Sequence, residues 1–204
     1  MDTSPGDEVF TILEKELGDV PIIAEDLGFI TPDVTELRKK FNFPGMKILQ
    51  FAFGDKAENG FLPHNHDPLY VVYTGSHDND TTCGFFDKEK EQKTGIYEWA
   101  QSYLHHNGDD ICFQLIKTAY ASVADTVIIP MQDVLNLGTE ARMNFPGTLG
   151  GNWTWRLQWN QITDELAATY KKMTEIYDRP PKEKEVSKEV VEYVERVLGR
   201  KVEE

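Results

Sequence analysis

Residues 70–80 read YVVYTGSHDND, a four-residue apolar run, Tyr70 to Tyr73, followed at once by a histidine, two aspartates and an asparagine. A run this short, bounded by turn residues, reads as a buried parallel strand rather than as one face of a helix. In parallel α/β architectures the loops after the carboxyl ends of the strands vary without disturbing the core, and reactive groups collect there. The segment His77-Asp78-Asn79-Asp80 sits in that position, so the fold turns on whether other strands deliver partners to the same edge.

Three further apolar runs share the pattern. Val20 to Ala24 (VPIIA) precedes Glu25-Asp26, Met46 to Phe53 (MKILQFAF) precedes Gly54-Asp55, and Thr126 to Met131 (TVIIPM) precedes Gln132-Asp133. Helical patterns lie between them. Val9, Ile12, Leu13 and Leu17 share a face that Gly18 ends, and Thr31-Pro32 opens a helix carrying Val34, Leu37 and Phe41. Asp109 or Asp110 caps a helix with Ile111, Leu115, Ala119 and Val123, and Thr163 opens one with Leu166, Tyr170, Met173 and Tyr177. The alternation of helix and strand predicts an α/β fold with a parallel sheet. After Asp178 the composition shifts to RPPKEKE, so residues 179–204 read as a charged linker and an amphipathic terminal helix carrying Val186, Val190, Val194 and Val197.

Composition narrows the function. With 204 residues, 40% hydrophobic and 27% charged, the chain can bury a core and is not a disordered segment. Its formal net charge of -14 disfavours nucleic acid and anionic membrane as partners, leaving neutral or cationic ligands. No apolar run is long enough to span a bilayer, and no basic start with an apolar stretch behind it opens the chain. Cys83 and Cys112 have no metal-type spacing, and a reduced, cytoplasmic compartment is the expectation.

Glu25 and Asp78 both follow strand runs, so a barrel or open sheet brings them to one rim. Two carboxylates there suit glycosidic bond cleavage, in which one acts as acid and base and the other as nucleophile or charge stabiliser. His77 supplies a hydrogen-bond donor or holds a sugar hydroxyl. The bland alternative is an Asx-rich turn at 77–80. A rival chemistry uses His64 and His66 with His77 and Asp78 as ligands of a divalent metal in a barrel hydrolase. Trp153 and Trp155, beside Asn144, Arg156 and several glycines, offer faces for pyranose rings, or else fill the core beneath their loop.

The motifs IAEDLG, TPDV, FPGMKILQFAF, YTGSHDNDTT, ARMNFPGT and GNWTWR, in that order, closely resemble the C-terminal part of amylomaltases, the 4-α-glucanotransferases of glycoside hydrolase family 77. The resemblance runs from about residue 7 to 178. It implies a (β/α)8 TIM barrel of the α-amylase superfamily, of which residues 1–178 are about strands five to eight with their helices. The implied reaction moves an α-1,4-glucan segment to the 4-hydroxyl of an acceptor glucan with retention and without a cofactor. By position, Glu25 is the general acid/base, Asp78 stabilises the transition state, His77 and Asn144 bind substrate, and Phe51 lines the cleft. The family's nucleophile stands in an R-x-D-H-type motif, and this sequence contains no Arg-x-Asp. That motif is expected before residue 1, so the chain needs an N-terminal half for a complete site and is expected not to turn over alone. The alternative implied is a non-catalytic glucan-binding or assembly half-barrel.

Overall fold

The run Tyr70–Tyr73 is the middle strand, β2, of a three-stranded parallel sheet in the computed structural model, which describes residues 5–18, 20–106, 108, 110–179 and 196. Its neighbours are β1 (Gly45–Ile48) and β3 (Thr126–Ile128), in the order β1-β2-β3. Ile48, Tyr73 and Ile128 stand side by side in register, so the three strands end at one level. Val71 and Val72 point to opposite faces and are both buried, as a parallel strand covered on two sides requires.

The helices are α1 (Gly6–Leu17), α2 (Pro32–Lys40), α3 (Thr82–Gln92), α4 (Ile96–Tyr103), α5 (Ile111–Tyr120), the short α6 (Met131–Val134) and α7 (Asp164–Ile176). Contacts divide the chain into two compact units, Met1–Trp155 and Arg156–Glu204. The sheet and α1 to α6 belong to the first. The second contains α7, whose N-cap Thr163 accepts the Leu166 N–H at 3.1 Å. The linker and terminal helix expected for 179–204 lie outside the described residues, apart from Arg179 and Arg196.

Several expectations need correction. Val20 to Ala24 is not a strand. Pro21 has no N–H, one backbone bond, Ala24 N–H to Pro44 O at 2.8 Å, joins the segment to the start of β1, and the next donor along, Met46 N–H, goes to the Asp26 side chain. The run 46–53 is a strand only to Ile48, after which Leu49–Phe51 forms a 3₁₀ turn. TVIIPM likewise leaves the sheet after Ile128. No α-helix joins β1 to β2, a connection made by loops and the two 3₁₀ turns Leu49–Phe51 and Pro63–Asn65.

The predicted face of α1 is turned by about one position: Phe10 packs against Phe41 and Phe43, with ring centroids 5.4 and 5.0 Å apart, while Val9, Ile12 and Leu17 remain exposed. Thr31 precedes α2 as expected, but its hydroxyl serves Asp33, whose carboxyl it holds below the usual range. Asp110 precedes α5 without a side-chain cap, and Asp109 lies outside the described residues. Cys83 of α3 is paired with Cys112 of α5, with Cα atoms 5.8 Å apart.

The core lies between the sheet and α3, α4 and α5, where Val72, Leu49, Phe86, Tyr97, Ala100, Leu115 and Ala119 belong to one buried cluster. Among the described residues no helix is long and apolar enough to cross a membrane. Leu115 is fully buried. Leu115→Ala should therefore lower the unfolding free energy by roughly 2–5 kcal/mol in urea denaturation, through lost transfer energy and the cavity left behind. Ile12→Ala, on the exposed face of α1, should change it by no more than about 0.5 kcal/mol.

Candidate active site

β2 ends at Tyr73, and the chain beyond it is held by side chains instead of a ladder. Thr74 is fully buried, and its hydroxyl donates to Asp133 Oδ2 at 2.5 Å. A Cβ on Gly75 would stand 2.6 Å from Gln50 Nε2, which donates to the Asp80 carbonyl at 2.9 Å, so a larger residue there would push that amide off its acceptor. Asn79 Oδ1 accepts the Ser76 N–H at 2.9 Å and the Ser76 hydroxyl at 2.7 Å, closing a tight turn. Asp80 accepts the Thr81 N–H and the Thr139 hydroxyl, and Thr81 caps α3 by accepting the Gly84 N–H at 3.1 Å. Asn79, Asp80 and Thr81 thus build the loop, while His77 and Asp78 are left at its exposed tip. The Asx-turn reading of 77–80 holds for Asn79, while the side chains of His77 and Asp78 project from the same stretch.

Asp78 is fixed from the loop of residues 142–145. Asn144 Nδ2 donates to Asp78 Oδ1 at 2.6 Å, and Arg142 Nη2 donates to the Asp78 carbonyl at 2.7 Å. Arg142 Nε also donates to the Asn144 carbonyl at 2.8 Å, and its guanidinium lies 4.3 Å from the centre of the Phe145 ring. His77 Nε2 is 3.4 Å from Asp78 Oδ1, and its ring lies 5.1 Å from that of Trp153, which is half exposed and so is not core filling.

Glu25, His77 and Asp78 line one open cavity of about 440 Å³, whose walls include Met46, Ile48, Tyr73 and Ile128 from the three strands. Ile23, Glu25 and Leu27 contribute alternately to it, so the segment keeps a strand-like alternation without being a regular strand. A smaller hollow of about 160 Å³ shares Ser76, His77 and Asn79 with it and adds Asp80, Arg142 and Trp153. Asn144 reaches the site through Asp78. Phe51 does not line either hollow: it is half exposed and packs edge-on against Phe61 at 5.4 Å.

The metal reading is not supported by the side-chain placement. His64 spends both ring nitrogens on Tyr103 Oη and the Ala57 carbonyl, and His66 Nε2 bonds to the Phe61 carbonyl. Burial pushes the His66 imidazole down to about 4. Among the described residues no three His, Cys, Asp or Glu side chains converge on a point that could hold a metal.

Residues 1–163 match the 4-alpha-glucanotransferase family, glycoside hydrolase family 77. The chain belongs to that family. It is 51% identical over 164 residues to a chloroplastic/amyloplastic 4-alpha-glucanotransferase of Arabidopsis thaliana, a match covering 79% of this chain and 28% of the relative. The 4-alpha-glucanotransferase of Synechocystis is 47% identical over 182 residues, covering 86% of this chain and 35% of the relative. Among solved structures, an amylomaltase from Streptococcus agalactiae in complex with acarbose superposes with a TM-score of 0.79 at 39% identity, over 87% of this chain and 36% of that one. An amylomaltase from Corynebacterium glutamicum, at 19% identity and a TM-score of 0.56, shares the fold. The chain therefore spans about a third of the length of the 4-alpha-glucanotransferases it matches.

The residue that sequence reading missed is Asp133, noted only as an acidic group after a strand. Its carboxylate is 3% exposed and accepts the Thr74 hydroxyl, the Thr82 N–H at 2.7 Å and the Thr82 hydroxyl at 2.7 Å. Burial raises its pKa, and the donors from Thr74 and Thr82 pull the other way without cancelling it. A carboxyl that holds its proton more tightly when folded makes stability fall as pH rises from the unfolded carboxyl's pKa, near 3.8, through the higher folded one. Asp133→Ala should cost roughly 1–3 kcal/mol for each donor left unpaired. Asp133→Asn, whose amide can still meet both threonines, should cost less, and urea titrations should show wild type gaining on it as the pH is lowered through that window.

Proposed function

We propose that this chain carries the acid/base and charge-stabilising side of a 4-α-glucanotransferase site, with α-1,4-glucans as donor and acceptor. The observation that carries the reading is the single open cavity lined by Glu25, His77 and Asp78, with Asn144 bonded to Asp78. Glu25 gives a proton to the leaving 4-oxygen as the glycosidic C–O bond breaks, then takes one from the incoming acceptor 4-hydroxyl as the new bond forms. Asp78, held as an acceptor by Asn144 and through its carbonyl by Arg142, offers negative charge to the oxocarbenium-like centre. His77 and Asn144 donate to sugar hydroxyls, and the Trp153 ring beside His77 supplies an apolar face for a pyranose.

The sheet supplies part of a (β/α)8 barrel, with the segment at 20–27 and β1, β2 and β3 in the places of strands five to eight. Retention needs an attacking carboxylate, and among the described residues Glu25 and Asp78 are the only acidic ones lining the larger cavity. With no Arg-x-Asp in the sequence, the nucleophile belongs to another part of the site. The isolated chain is accordingly inactive, because removing a catalytic nucleophile costs several powers of ten.

A hybrid in which this chain replaces the matching third of the Synechocystis relative tests the assignment. The hybrid should convert maltotriose into glucose and longer maltodextrins, whereas this chain alone should yield neither. Glu25→Gln and Asp78→Asn should each lower the hybrid's rate by at least about a thousandfold. Unimpaired transfer by Glu25→Gln would remove Glu25 from the reaction.

A further inference from the structure

We infer that Asp26 is a positioning residue for Glu25, holding the acid/base carboxylate toward the cavity through a buried clamp on Arg38 and β1. The inference rests on the reading of Glu25 given above. It starts from a shortfall: Glu25 belongs to a segment that makes no regular strand, and backbone bonding to β1 consists of Ala24 N–H to Pro44 O. One such bond leaves the residue after it free to rotate.

Asp26 removes that freedom. Its side chain, 10% exposed, turns away from the cavity, and Oδ1 accepts the Met46 N–H at 2.7 Å, standing in for the carbonyl that a regular strand would present there. Oδ2 lies 3.3 Å from Nε of Arg38, whose side chain is 3% exposed. Arg38 is itself immobilised, since Nη1 donates to the Phe43 carbonyl at 2.7 Å and the Leu69 carbonyl at 3.0 Å, and the guanidinium lies 4.6 Å from the centre of the Tyr70 ring. Glu25 thus stands between two anchored neighbours, Ala24 and Asp26. With Ile23 and Leu27 facing the cavity on either side, the alternation leaves Glu25 one direction to point.

Gly45 is an independent witness to the clamp. A Cβ there would run into the Asp26 carboxylate and come within 2.7 Å of the Tyr70 ring, so the first residue of β1 has space only for a hydrogen atom. A buried ion pair contributes little net stability compared with well-packed apolar groups. What this one does is fix geometry beside a reacting group, where an ångström of displacement costs rate.

Two variants displace the carboxylate by different routes. Asp26→Asn removes the charge that faces the Arg38 guanidinium and weakens the acceptor for the Met46 N–H, and Gly45→Ala pushes the intact carboxylate aside. In the hybrid enzyme both should lower kcat for maltodextrin transfer by about 100-fold while KM stays within about threefold. Release of fluoride from α-maltosyl fluoride in the first turnover needs no protonation of the leaving group, and should fall by no more than about threefold. An equal loss with both donors would show that Asp26 merely holds the fold, and no loss with either would show that Glu25 needs no clamp; each overturns the proposal. The clamp is also read on this chain by hydrogen exchange: the Met46 amide should exchange at least about tenfold faster in both variants. Unchanged protection would overturn the clamp whatever the activity. A hybrid whose Glu25→Gln form transfers glucan normally would instead fail the acid/base reading, with Met46 protection reporting separately on the clamp.

Discussion

The site depends on a constraint that loops after parallel strands always face: their backbone groups have left the ladder and something else must fix them. Here the Asp133 carboxylate does so. It gathers the end of β2 through Thr74 and the first turn of α3 through Thr82, while itself belonging to α6 beyond β3. Three donors on one buried carboxylate hold the base of the 75–81 loop, and Asn79 and Asp80 complete it from within. His77 and Asp78 can then sit exposed at the tip without being loose.

The same division of labour recurs at Glu25. The carboxylates proposed to react, Glu25 and Asp78, line the open cavity, whereas the carboxylates that hold their segments, Asp26 and Asp133, face away from solvent against fixed donors. Arg38 and Arg142 serve the two segments in parallel ways, each tying backbone carbonyls of separate stretches with one guanidinium. An arginine suits that task because its planar fork presents several donors in fixed directions.

Much of this was legible in the sequence, and the failures have local causes. YVVY was read to the residue because burial on two faces and a turn signal bound it on both sides. VPIIA carries the same apolar signal, but Pro21 and the Asp26 side chain divert the bonds a strand needs, which no hydrophobic pattern reports. Helix α3 was missed because the charged run DKEKEQ at 87–92 hides the apolar positions Phe85 and Phe86 before it, α4 was missed with it, and β1 to β2 lacks the helix that alternation predicted. Glu25, His77, Asp78 and Asn144, singled out through motif order, come together around one cavity. Asp133, Arg142 and the pairing of Cys83 with Cys112 depend on contacts between distant segments, and Phe51 was placed in the cleft by likeness where packing against Phe61 sets it aside.

Glu25 as the proton donor and acceptor in a retaining transfer is the central claim, and chemical rescue addresses it most directly. In the hybrid enzyme, Glu25→Ala supplied with α-maltosyl fluoride should form the glycosyl intermediate and stall for want of a base. Azide, a nucleophile that needs no base, should restore turnover and yield α-maltosyl azide. Failure of azide to restore turnover, or formation of the β-anomer, would contradict the role assigned to Glu25 or the retaining mechanism built around it.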